Sequence, residues 1–106
     1  MTVRITTEGE EMKALLVGEI DHHSAREARE RIDAQVEKTH PKLLILDFAE
    51  IGFMDSSGIG LIMGRHRLMN ELGGTLRIEN TSRTVSRMIK MAGLGRLSIE
   101  TGGTKR

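Results

Sequence analysis

The chain has 106 residues, with 16 basic against 15 acidic side chains, four histidines and no cysteine. That length supports one domain around one modest core, and the near-balance of charge removes the main signal for a nucleic-acid or membrane-surface partner. The absence of cysteine excludes a disulfide framework, a thiol nucleophile and a thiolate metal site, and it fits a reducing cytoplasm. No apolar run approaches the roughly 18 residues of a membrane span, and "MTVRITTEGEE" carries no apolar h-region, so a secretion signal is not expected.

In chain order, Val3 and Ile5 alternate with polar neighbours, which predicts a half-buried strand. "EGEE" is the turn after it. Residues 12–20 follow, and Ala14-Leu15-Leu16-Val17 is apolar on both faces, as in a central strand. "DHHS" breaks the run. Ser24 and Glu27 have capping-box spacing, so a helix is expected to start at Ser24. Ala25, Ala28, Ile32 and Val36 form its buried stripe, and Arg26, Glu27, Arg29, Glu30, Arg31 and Lys38 its solvated face. Past Pro41, Leu43-Leu44-Ile45-Leu46 reads as a strand covered on both sides, ending near Phe48.

A second helix takes Ile59, Ile62, Met63, Met69 and Leu72 as apolar positions and ends at Gly73-Gly74. Leu76 and Ile78 mark another strand. Val85, Met88, Ile89 and Ala92 mark a third helix stopped by Gly93, with Arg83, Arg87 and Lys90 on its solvated face. Leu97 and Ile99 give a last short strand, which closes a domain over 1–101 and leaves 102–106 as a loose tail. The alternation predicts an α/β domain with a mixed, largely parallel sheet and packed helices. Met54, Met63, Met69, Met88 and Met91 are expected mostly as core filler, with a minority on an adaptable surface.

"MDSSGIGLIMGR", residues 54–65, carries the chemistry. Gly58-x-Gly60 at a helix start, with Glu79 about 20 residues on, imitates a dinucleotide fingerprint. Gly64 is one place too far along, and a strand ending near Phe48 leaves no tight turn before Gly58. A nucleophile elbow needs G-x-S-x-G, which is absent, and His66 lies more than two turns from Ser56. His22-His23 are adjacent and lack a third metal ligand at useful spacing. The remaining reading makes a serine the substrate of a kinase, since a helix N-terminus tolerates the added charge. Ser56 and Ser57 as plain helix caps, with Asp55 as a further favourable charge, is the structural alternative.

"GEIDHHSA" at 18–25 and "FMDSSGIGLIMGR" at 53–65 together resemble the anti-sigma factor antagonists of the STAS domain family, nearest to their sporulation branch. "ENTSRTVSRMIKMAGL" at 79–94 is a looser match. The resemblance implies no catalysis and no cofactor. It implies a partner, an anti-sigma factor that is also a GHKL-type serine kinase and brings ATP. The unphosphorylated antagonist displaces the sigma factor, phosphorylation ends this, and a PP2C-type phosphatase reverses it. By the same resemblance the acceptor is Ser56. Asp21, His22, His23, Asp55, Ser57, Gly58 and Gly60 then form the partner surface, with Gly58 and Gly60 keeping the backbone bare for a partner's active site. A free-standing STAS module, serving as scaffold or small-anion sensor without a phosphorylation cycle, is the alternative.

Overall fold

Gly9 is the first of two residues linking strands β1 (Thr2–Glu8) and β2 (Glu11–Ile20), and its φ of 61° meets the positive φ a primed hairpin turn needs. β1 and β2 are antiparallel. From there the computed structural model, which describes residues 1–96 and 99–104, alternates helix and strand. Helix α1 (His22–Thr39) leads to β3 (Leu43–Met54), α2 (Ser57–Glu71) to β4 (Thr75–Thr81), and α3 (Arg83–Met91) to β5 (Ile99–Thr104). A 3₁₀ turn, Leu94–Arg96, lies between α3 and β5.

The sheet has five strands in the order β1-β2-β3-β4-β5, parallel from β2 onward. Three successive parallel crossovers step in one direction, so their shared handedness puts the helices on one face. That face is the core. Met12, Ala14 and Leu16 of β2, Leu44, Leu46 and Phe48 of β3, and Leu76 and Ile78 of β4 are all buried there. Ala25, Ala28, Ile32 and Val36 of α1 and Leu61, Ile62 and Met69 of α2 close over them. The mixed, largely parallel α/β architecture is the one expected.

The other face departs from expectation. Leu15, Val17 and Leu43 are half-buried, and no helix among the described residues is needed to make them so. Ile45 and Asp47, in the middle strand, are buried on that face all the same. Lys13 and Arg77 are the register neighbours of Ile45, and Lys13 Nζ reaches Asp47 at 3.4 Å and Glu79 at 3.6 Å. Long charged side chains therefore do on this face what a helix layer does on the other.

Three boundaries need correcting. α1 starts at His22, two residues before Ser24, because Asp21 is its N-cap. β3 runs to Met54, well past Phe48; its later half pairs with β2 alone, ending at Ile20↔Met54, after β4 has stopped pairing at Asp47↔Glu79. One objection to a dinucleotide loop thereby falls, while the misplaced Gly64 stands. β5 extends to Thr104, which pairs with Thr81, so 102–104 belong to the sheet and not to a tail. Leu97 lies outside the described residues, as do 105–106. Among the apolar positions, Leu61 is buried and was missed, while Met63, Met91 and Ala92 are exposed. The expected end of α2 holds in detail: Gly73 takes φ 75°, and Gly74 N–H and Gly73 N–H donate to Met69 O and Asn70 O, a Schellman closure.

Candidate functional site

The end of β2 and the end of β3 lie side by side, and Asp55 N–H donates to Ile20 O at 3.0 Å. The Asp21 loop and the Ser56 loop are thus joined at one end of the sheet. Each turns at once into a helix, and each aspartate caps the helix that follows. Asp21 Oδ1 accepts from Ser24 N–H at 2.8 Å, while Ser24 Oγ accepts from Asp21 N–H at 2.9 Å and donates to Glu19 O at 2.7 Å. The capping box is therefore Asp21 with Ser24, and Ser24 is a buried N3 residue, not the cap. The hydrogen bonds from Ser24 hold the Asp21 carboxyl below its ordinary range.

At the second loop Asp55 Oδ1 accepts from Ser57 N–H at 2.8 Å and from the Ser57 hydroxyl. Ser56 occupies the N-cap position but makes no capping bond; its φ of −63° and ψ of −18° are already helical. Capping by both serine hydroxyls, the structural alternative, is thus not what the chain does. Asp55 supplies the cap, Ser57 is tied to Asp55, and the Ser56 side chain is exposed. Among the described residues the Ser56 hydroxyl has no hydrogen-bond partner.

The two glycines differ. Gly60 is exposed, and a Cβ there would meet nothing within 4 Å. Gly58 is buried, and a Cβ would overlap Sδ and Cγ of Met54. Its bareness serves packing against Met54. Phe53, 53% exposed, stands beside this loop in sequence. Met63, 41% exposed, follows Gly60 by three residues and so shares its face of α2.

His22 and His23 are exposed in the first turn of α1, with His23 Nε2 at 2.7 Å from Glu27 Oε1. No group of three or more His, Cys, Asp or Glu positioned for a metal exists among the described residues. His66 is buried, with its Nε2 at 3.2 Å from Asn70 Nδ2, and takes no part in the loop.

A cleft of about 580 Å³ opens between α1 and α2 beside Ser57. Its lining includes Arg26, Arg29 and Arg65, with His22 and His23 beside them. The sequence reading assigned Arg26 and Arg29 to a plain solvated face and missed the cluster. Arg65 lies on the buried stripe of α2 and is only 5% exposed. Its Nε approaches Asp33 Oδ1 of α1 at 2.8 Å, but off the N–H direction, so the contact is one of charge without an aligned hydrogen bond. Burial lowers the Arg65 pKa despite Asp33, and burial raises that of Asp33 despite Arg65. The signal was available: residues 58, 61, 62, 65, 66 and 69 fall on one helical stripe.

The sequence model of the STAS domain matches residues 6–104. The chain belongs to the STAS domain family. Two curated relatives give the STAS match a finer setting. The anti-sigma F factor antagonist of Paenibacillus polymyxa is 35% identical over 79 residues, 74% of this chain and 68% of that one. The anti-sigma-B factor antagonist of Bacillus subtilis (strain 168) is 32% identical over 79 residues, 74% and 71% of the two chains. Among solved structures, the anti-sigma factor antagonist SpoIIAA in its unphosphorylated form superposes with a TM-score of 0.81 at 28% identity, covering 95% of this chain and 88% of that one. The phosphorylated SpoIIAA of Bacillus gives 0.75 at 28% identity, covering 95% and 91%. No helix among the described residues of this STAS domain is long and apolar enough to cross a membrane.

Proposed function

We propose that the chain is an anti-sigma factor antagonist switched by phosphorylation on Ser56. In the unphosphorylated form it binds an anti-sigma factor that is also a serine kinase, and the sigma factor is released. The kinase then transfers the γ-phosphoryl group of its ATP to the Ser56 hydroxyl, which loses its proton, ADP leaves, and the phosphorylated chain lets go. A PP2C-type phosphatase hydrolyses the phosphoserine and resets the cycle in the cytoplasm. On this reading the chain is a regulatory binding protein and not an enzyme.

One observation carries the choice of acceptor. Ser56 is exposed with a free hydroxyl, while the Ser57 hydroxyl is held by Asp55. A kinase has to break nothing to reach the first and a charge-assisted hydrogen bond to reach the second. The same loop tolerates the product, because a dianion at the start of α2 meets the positive end of the helix dipole. The likeness to anti-sigma factor antagonists supports the role, and the existence of a phosphorylated form of SpoIIAA supports the modification.

The test is displacement. Unmodified chain added to a complex of sigma factor and kinase should free the sigma factor. Ser56→Asp, which supplies about half the charge of a phosphate, should free much less. Equal release by both proteins, or none by either, would contradict the reading.

A further inference from the structure

We propose that the cleft between α1 and α2, lined by Arg26, Arg29 and Arg65, binds a phosphate-class dianion. Its volume, about 580 Å³, is within the range of small-molecule pockets and leaves room for more than a bare phosphate. None of the lining residues is acidic. The whole chain is almost neutral, 16 basic against 15 acidic residues, so the positive lining is a local concentration.

Arg65 points to a ligand independently of the cavity. It is 95% buried by its 5% exposure, and Nη1 of its guanidinium has no partner. A buried cation left partly unpaired is costly, and an anion in the cleft would offset part of that cost through space, Nη1 itself being closed to solvent. Asp33 does not suffice, because Arg29 acts on the same carboxylate and also repels Arg65. Two guanidinium groups thus share one carboxylate. Planar guanidinium forks suit the oxygens of phosphate.

The helix ends add to this. The first turn of α1 holds His22 and His23 and no acidic residue, and that of α2 likewise holds no acidic residue. An anion at a helix N-terminus complements the dipole. Asp21 and Asp55 are committed to Ser24 and Ser57 and are not in the lining. Glu27 and Glu30 compete for His23 and Arg26 only through pairs that are well exposed and correspondingly weak.

Two sources could supply the dianion: a free phosphate compound, or the phosphate of Ser56, the residue next to Ser57 at the cleft wall. Inorganic phosphate and the unmodified chain suffice for the first test, so its outcome does not depend on the kinase reading. Phosphate is titrated at constant ionic strength, with chloride as balance, while amide and Arg Nε resonances are followed. The expected result is saturable shifts at His22, His23, Ser57, Gly60 and Arg65. In the double variant Arg26→Gln, Arg29→Gln, both surface positions, the dissociation constant should rise about tenfold or more, with the remaining amide spectrum unchanged. Non-saturating shifts, or equal shifts on the basic face of α3 at Arg83, Arg87 and Lys90, would overturn the proposal. Repeating the titration on chain phosphorylated at Ser56 separates the sources. Loss of free-phosphate binding assigns the cleft to the phosphoserine, and retained binding assigns it to a free compound.

Discussion

Two residues apart in sequence, Gly58 and Gly60 lack a side chain for different reasons, and the difference is measurable. Gly58→Ala drives a Cβ into Met54, itself buried, and overpacking of this kind costs about 1–3 kcal/mol. Gly60→Ala has open space and sits inside a helix, so it should raise stability by about 0.5–1 kcal/mol. Denaturant melts of the two variants check both signs. The Gly60 variant should nonetheless bind the kinase less well if the partner closes over bare backbone. Asp21 belongs here too. Because it caps α1, its change to alanine should lower stability. A melt showing no loss would mean that the box with Ser24 contributes nothing. The sequence held the pieces of both caps but not their assignment. Asp21 and Ser24, and likewise Asp55 and Ser57, are all residue types that cap helices, and only backbone geometry decides which side chain accepts. The same holds for Ser56: its motif marked it, while its free hydroxyl is a fact of three dimensions.

Between elements, the link from α1 to α2 runs through Asp33 and Arg65, and the open face of the sheet is tied by Asp47. These two carboxylates should respond to acid with opposite signs. Burial disfavours the Asp47 carboxylate, but hydrogen bonds from Asn80 and Ala49 N–H, together with Lys13, outweigh it and lower its pKa below the ordinary 3.8. Its stabilising contribution is therefore present above pH 3.8 and is lost as pH falls through the lower folded value. Asp33 has a raised pKa, so the folded state takes up its proton first. The penalty of its buried charge is present above that raised value and disappears as pH falls through it. Asp47→Asn should flatten the acid limb of a stability–pH profile below pH 3.8, and Asp33→Asn should steepen the fall from neutral pH toward acid. Parallel profiles for wild type and both variants would contradict the assignment. At this scale the sequence was readable wherever a period was strong. The helix stripes and the strands around Leu44 and Leu76 stood out. The second half of β3 did not, because Ala49, Glu50 and Gly52 break the apolar pattern where only β2 remains as a neighbour. Arg65 and Asp33 also escaped, since charged residues on a buried stripe look like surface until the facing helix is known.

Over the whole molecule, the sheet brings two loops far apart in sequence to one end, and the helices that follow them wall a basic cleft. The α/β class was legible from element order, and the grouping of the Asp21 and Ser56 loops from the family resemblance. The basic cleft was not, because it needs the packing angle of α1 on α2. A phosphate on Ser56 arrives at a helix N-terminus already aligned to receive charge, so the fold should persist. Amide shifts on phosphorylation should gather at the loop 55–60, at Asp21 and His22, and along the cleft. Large shifts through α3, from Val85 to Lys90, would mean a change of global conformation instead. The central claim, that Ser56 is the switch, is tested most directly by incubating the chain with its kinase and ATP and mapping the phosphate by mass. The account predicts a single phosphate on Ser56, none on Ser56→Ala, and continued modification of Ser57→Ala. Phosphate on Ser57, or an unmodified chain after prolonged incubation with a kinase that binds it, would contradict the account.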